Sequence, residues 1–352
     1  MNGRSHQKIA MLSYAIVATI PAINSMMIFN NKYIHIPMGI SLIGLGTAAL
    51  SGLIVDADSQ NSKISQMNPV TGASTKVISY IENLLRLLLR LLLGLGSCAL
   101  ILWYSNPIIS WLTSIKYISE FSHMYSYENI HLYAKIFTYS LSLIFLILGI
   151  INEKIYKKIP IIGSIYKELS KEINKSSHNF KRIALLLTYV SASVILAIYN
   201  YTNLNDVYVY LICILLVSIA AFPHRSFLHS IEGVIAFTIS ASYVFDKLGQ
   251  NYLTGCFFVG YISHIYWADI FTKEGVPFLS LPRFIAKALK KLRLHNIFVI
   301  TLEKMGKLKL KLPPHMITGS EFGNLFEVIY ILFLLAVVII GFLVYGGEFR
   351  VI

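Results

Sequence analysis

Charge is scarce in this chain. Only 13% of its 352 residues are Asp, Glu, Lys or Arg, against about 25% in an average soluble protein. With 56% hydrophobic residues and a mean hydropathy of +0.65, a bilayer must supply most of the burial. Acids are scarcer than bases, 17 against 30, for a net charge of +13. Cysteine is nearly missing: Cys98, Cys213 and Cys256 stand alone in apolar stretches. With no C-x-x-C pair there is no sign of a disulfide frame or a thiolate metal site, and the three read as small core residues. No small-residue cleavage site ends the first apolar segment, which therefore reads as a retained span. Internal repeats and low-complexity tracts are also missing. Basic surfaces bind phosphate backbones, but these lysines line loops between spans and no nucleic-acid-binding motif accompanies them, so no nucleic acid is expected as a partner.

Long apolar runs, by contrast, are abundant. A helix needs about 20 apolar residues to cross the hydrocarbon core, and nine stretches are candidates: 9–29, 37–55, 84–104, 133–151, 183–199, 207–222, 228–245, 252–270 and 326–346. Lysine and arginine accumulate in cytoplasmic loops. Residues 152–182 hold eight and 271–325 hold ten, whereas 30–36, 105–132, 200–206 and 246–251 hold one, one, none and one. Nine spans with the N-terminus inside satisfy every loop. The expected fold is all-α, a polytopic transmembrane bundle of about nine spans in one domain over 1–352, multi-pass in the cell (inner) membrane with membrane lipids as partners. Spans within 84–199 read as a possible insertion and 271–325 as a cytoplasmic basic loop.

Within that loop, Phe284, Ile285, Ala288, Leu289 and Leu292 recur at helical spacing, while Lys287, Lys290, Lys291 and Arg293 fall on other faces. Arg283–Leu294 thus reads as an interfacial helix on an anionic leaflet. Further on, Ile297–Thr301 and the alternating Lys307–Leu312 flank Glu303–Gly306, which suggests a small hairpin.

Ionisable groups beside spans are functional candidates by default. Asp56 and Asp58 follow the second span and can point the same way on an extended loop, with Ser62 nearby as a hydrogen-bond partner for a carboxylate; a solvated Asp-rich turn is the plainer alternative. Pro223-His224-Arg225-Ser226-Phe227-Leu228-His229-Ser230 packs two imidazoles and a guanidinium into a turn that a purely structural loop would build from Gly, Asn or Ser. Imidazole ligates metal or carries protons, and Arg225 offers a fork matched to phosphate or carboxylate. His264 and Asp269 are five residues apart. On a regular helix that step turns about 140° and separates the side chains, so either the helix ends between them or a π-bulge brings them together. On the expected topology all these residues, and His6, face the cytoplasmic leaflet. A mixed carboxylate and imidazole set suits a divalent metal ion, zinc first, with manganese or iron as alternatives.

Taken together, these segments resemble the YdjM-like inner-membrane proteins, described as LexA-regulated, metal-dependent hydrolases. Asp56-Ala57-Asp58 with Asn61-Ser62-Lys63 is similar to the family's D-x-D…S-K segment. His224-Arg225 with His229-Ser230 is similar to its H-R-G-x-T-H-S signature. Gly260-Tyr261, Ser263-His264, Asp269 and Gly275-Val276-Pro277 resemble G-Y-x-S-H…D…G-V-P, and Thr318-Gly319-Ser320 resembles a T-G-S element. Val55, Ser226 and Leu228 depart from the pattern, and the His264–Asp269 interval is one residue longer. The resemblance implies a membrane-embedded hydrolase with a metal-activated water, acting on a phosphoester or lipid-like substrate. Asp56, Asp58, His224, His229 and His264 would be ligands, Asp269 a further ligand or the base, and Arg225 a holder of substrate anion; His6 matches an N-terminal histidine. Two other classes stay open, a transporter or ion-handling protein with polar groups along a path, and a scaffold with a degenerate site.

Overall fold

Inside a bilayer every backbone polar group must be satisfied within the chain, and helix is how these apolar runs do it. The computed structural model describes residues 3–26, 28–29, 34–59, 62–67, 69–114, 127–151, 153–317 and 319–350, and 78% of the chain is helical. The longer helices are α1 (Gly3–Thr19), α2 (Leu42–Ile54), α3 (Pro69–Trp103), α4 (Ser105–Ser114), α5 (Tyr127–Ile151), α6 (Ile162–Tyr199), α7 (Val207–Ala221), α8 (Ile231–Lys247), α9 (Leu253–Ile262), α10 (Leu281–Lys291), α11 (Ile297–Met305) and α12 (Glu321–Tyr345). Among the described residues four helices are long and apolar enough to cross a membrane: Pro69–Trp103, Asn129–Leu148, Ile162–Leu204 and Glu321–Tyr345. The other five expected spans coincide with shorter helices, α1, α2, α7, α8 and α9, of 10 to 17 residues. Two of these are cut short by local chemistry: Pro21 opens a new turn after α1, and α9 widens into a π-helix.

The chain forms two compact units, 1–73 with 182–352, and 74–181. In the second, Glu82 accepts hydrogen bonds from Arg86 and from Ser177 Oγ (2.6 Å), tying the start of α3 to α6.

In the first unit α1, α2 and α9 pack together, with α12 against α1 and α8 against α9. Small residues permit it. A Cβ at Gly52 would press on Ala10, and one at Gly260 would run into the backbone of Ala48 and the Ser51 hydroxyl. Around this contact lie buried Tyr14, Ala48, Cys256 and Val259 on one side, and Val55, Leu228, Tyr261 and Ile265 on the other. Cys213 and Cys256 are buried free thiols, as their apolar settings led us to expect.

Two short ladders close the unit. β1 (Ile40–Ser41) pairs in parallel with β4 (Phe349–Arg350), and β2 (Val276–Pro277) pairs antiparallel with β3 (Lys309–Leu310). Where the interfacial helix was expected the chain is helical, as α10. The expected hairpin is not formed: Ile297–Met305 is a helix, because the Asn296 side chain accepts from Val299 N–H and caps it. The alternating Lys307–Leu312 run finds its strand partner in Val276–Pro277 instead. Glu303 joins this hairpin of helices, accepting from Lys290 (2.5 Å) and Lys307 (2.9 Å).

Two outcomes follow from this packing. Gly260→Ala forces α9 away from α2 and lowers stability by about 1–3 kcal/mol, read as a fall in thermal unfolding temperature in detergent. The bond from Lys290, then that from Lys307, holds the Glu303 carboxyl down at about 2, below its ordinary 4.5. A depressed acid stabilises the fold above its unfolded value, and the gain disappears as pH falls from about 4.5 to 2. Amide-exchange protection in α10 and α11 is therefore lost over that window, and Glu303→Gln, lacking the charge at all pH values, shows no such step.

Candidate metal centre

Each side chain at the centre is placed by a local device. Asp56 lies on the turn that ends α2, where its N–H bonds to Leu53 C=O (3.1 Å) and Ala57 N–H to Ile54 C=O (2.9 Å). Ser65 Oγ donates to Ala57 C=O and Ser59 C=O, closing the Asp56–Ser59 turn. Ser62 donates to Ser65 (2.9 Å), so its hydroxyl serves the turn and not a ligand carboxylate. His229 ends a 3-10 turn, Phe227–His229, anchored by buried Phe227 and Leu228. Tyr261 donates to Leu228 C=O (2.8 Å), and Ser230 caps α8 by accepting from Gly233 N–H. Arg225, just before, has φ +59°, a left-handed conformation that non-glycine residues seldom adopt.

The five-residue step between His264 and Asp269 is solved by widening the helix. Residues Ser263–Ala268 are π-helical and Asp269–Phe271 is a 3-10 turn. In a π-helix the i→i+5 bonding brings residues five apart onto one face, whereas an α-helix would splay them.

His264 Nδ1 is 2.5 Å from Gly52 C=O, to which it donates. Its other nitrogen, Nε2, is left as the lone-pair donor, as when an outer partner fixes the tautomer of a metal-binding histidine. That Nε2 lies 3.6 Å from Asp56 Oδ1 and 3.5 Å from Asp269 Oδ2. His229 Nε2 lies 3.6 Å and 3.3 Å from the same two oxygens. Bonds of about 2.0–2.2 Å in a tetrahedron separate neighbouring donors by about 3.3–3.6 Å, which is the spacing found. Hydrogen-bonded pairs would instead be aligned at about 2.7–3.2 Å, yet buried Nε2 of both histidines and Asp269 Oδ1 have no hydrogen-bond partner. Unpartnered polar atoms are costly in an apolar interior. A small divalent cation between the two Nε2 atoms, Asp56 Oδ1 and Asp269 Oδ2 would satisfy both imidazoles together, so these residues fit the metal that their types suggest.

Two further sets flank this one. The His6 ring stacks on His264 with centroids 3.8 Å apart, and His6 Nε2 is 3.9 Å from Asp269 Oδ1. On the other flank His224 Nδ1 bonds to Asp58 Oδ1 (2.7 Å), and its Nε2 is 4.0 Å from Asp56 Oδ1. Three groups result in which donor atoms lie within 4.8 Å of one another: His6, His264 and Asp269; Asp56, His229 and His264; Asp58, His224 and His229. At 41% side-chain exposure His224 forms the open edge of an otherwise sealed cluster.

All seven residues selected from sequence therefore meet in one place. Arg225 is less free than its expected duty as an anion holder requires. Its guanidinium donates to Thr272 Oγ1 and Glu274 (3.2 Å each) and lies 3.9 Å from Asp269. Three contributors escaped the sequence: Gly52 C=O, Glu274, and Glu327, which accepts from Ser5 (2.6 Å) one residue before His6. Of these only Glu327 left a signal, a lone acid near the start of an apolar run. Ser320 is a helix cap, accepting from Gly323 N–H (3.0 Å); Thr318 and Asn61 lie outside the described residues.

Fold and cluster together define a helical membrane protein with a buried histidine–aspartate centre. Residues 183–346, just under half of the chain, match the YdjM inner membrane protein family, so the resemblance carried by the motifs is shown over that stretch, and with the apolar helices it supports an inner membrane protein. No curated protein and no solved structure matches. The match covers His224, Arg225, His229, His264 and Asp269; His6, Asp56 and Asp58 lie outside it, yet fold onto the same centre.

The backbone at Arg225 gives a direct check. Both Arg225→Gly and Arg225→Ala delete the guanidinium, but only glycine is at ease at φ +59°. Arg225→Gly is expected to be more stable than Arg225→Ala by about 1 kcal/mol, measured by thermal unfolding of the two variants in the same detergent.

Proposed function

We propose that the chain is a metal-dependent hydrolase of the inner membrane, acting on a phosphoester or lipid-like substrate at the cytoplasmic boundary. The observation that carries this reading is that Nε2 of buried His229 and of buried His264 each lies 3.3–3.6 Å from an oxygen of part-buried Asp56 and of buried Asp269, the spacing of tetrahedral ligands. Zinc suits two imidazoles and two carboxylates best, and manganese is the alternative.

A bound divalent cation supplies two things to such chemistry, a lowered pKa for water and polarisation of the scissile group. The rest is the work of the chain. Asp56, His229 and His264 hold the cation, with Gly52 C=O fixing the His264 ring. Asp269 is a fourth ligand or, placed between two imidazoles and Arg225, the base that takes a proton. Asp58 orients His224 at the exposed edge, where a substrate enters. Arg225 binds substrate anion once Glu274 releases it.

This reading keeps the nine-span topology with the N-terminus inside, since that arrangement puts every ligand at one leaflet. It also treats 84–199 as possible inserted spans, of which residues 84–182 precede the family match and 183–199 fall within it.

Metal analysis of the purified full-length protein tests the proposal. The wild type is expected to carry a divalent metal that His229→Ala and His264→Ala each reduce by at least tenfold, a loss as large as disturbing even the outer partners of metal ligands brings. Asp269→Asn is expected to abolish hydrolysis of phosphoester substrates. Unchanged metal content in a folded His229→Ala, His264→Ala double variant would remove the centre.

A further inference from the structure

The α10–α11 hairpin exposes apolar side chains that no other described part of the protein covers. Ile297 is 81% exposed, Leu292 70% and Phe298 61%. On α11, Ile297, Phe298, Ile300 and Met305 fall on one arc, opposite buried Val299. In water such a face would be a liability. Around it the chain is strongly basic: from Leu281 to Leu312 nine lysines and arginines accompany one carboxylate, Glu303, which Lys290 and Lys307 already engage.

We infer that α10 and α11 together form a platform that seats in an anionic lipid leaflet, with the apolar arc of α11 at the acyl boundary and the cations among the headgroups. Apolar burial flanked by lysine and arginine is the composition that binds such surfaces, each cation near an anionic bilayer strengthening the attachment. The charge also argues against a second copy of this chain as the occupant, because two such faces would repel.

The platform is fastened to the metal centre. Glu232, on α8 just after His229, accepts from Ser280 N–H and Leu281 N–H at the head of α10. Phe222, two residues before His224, packs edge-on to Phe284 of α10 with centroids 4.5 Å apart. Leu312 N–H bonds to Ile270 C=O and Met316 N–H to Phe271 C=O, next to Asp269. Seating α10 and α11 therefore holds the exposed edge at His224 beside that leaflet. The docking surface itself does not depend on metal being bound.

The test places a nitroxide at Ile297→Cys in the full-length protein with Cys98, Cys213 and Cys256 replaced by alanine, reconstituted in bilayer discs. In discs containing phosphatidylglycerol the label is expected to be reached by oxygen and shielded from aqueous nickel chelate. In pure phosphatidylcholine that shielding is lost, as it is in phosphatidylglycerol when Arg293→Glu and Lys304→Glu are added. Trypsin cleavage after Arg293 in the unsubstituted protein gives a second reading, with protection in phosphatidylglycerol and cutting in phosphatidylcholine. Nickel access and cleavage that are equal in the two lipids would overturn the inference, whatever the metal content proves to be.

Discussion

A carboxylate or imidazole sealed from water must find a partner, and that constraint organises the unit of residues 1–73 and 182–352. His229, His264 and Asp269 are among its most buried polar side chains. Direct hydrogen bonds between them would relieve part of the cost, but their atoms stand apart by the edge length of a coordination tetrahedron. The chain keeps two imidazoles and two carboxylates together where apolar packing would be cheaper, and a cation is the partner that would make the arrangement favourable.

Holding that geometry is a matter of helix packing. The donors come from the ends of α2 and α9 and from the turn before α8, and the close contact of α1, α2 and α9 at Gly52 and Gly260 fixes the distance between those ends. One carbonyl serves both purposes: Gly52 sits at the helix contact and accepts the His264 Nδ1–H. The π-helix then turns Asp269 back toward His264. Stability and site geometry therefore share residues.

Much of this was legible in the sequence. Histidine, arginine and aspartate in short turns beside apolar runs are expensive there, so their positions alone marked the candidates. The His264–Asp269 interval carried its own geometric problem, to which widening and ending the helix were the two answers on offer; the chain uses a π-helix and then a 3-10 turn. His6 was visible only through the expected topology and the resemblance, because a histidine on a polar N-terminal segment has no local oddity. Arg225 was read for its charge, whereas its ties to Glu274 and Thr272 depend on residues nearly fifty positions away. The apolar pattern located nine helices but did not give their lengths, since Pro21 and the π-helix at Ser263–Ala268 are breaks that hydropathy smooths over. The expected hairpin at 297–312 failed because short apolar runs do not distinguish strand from helix, and the Asn296 cap decided for helix.

The central claim is that Asp56, His229 and His264 hold one cation, with Asp269 beside it. Anomalous diffraction from crystals of the full-length protein, recorded on both sides of the zinc absorption edge, tests it most directly. A single peak about 2.0–2.2 Å from His229 Nε2, His264 Nε2 and one Asp56 oxygen, with Asp269 next to it as ligand or base, is the predicted result. A zinc-loaded protein with its anomalous peak elsewhere, or with direct hydrogen bonds joining those four side chains, would contradict it.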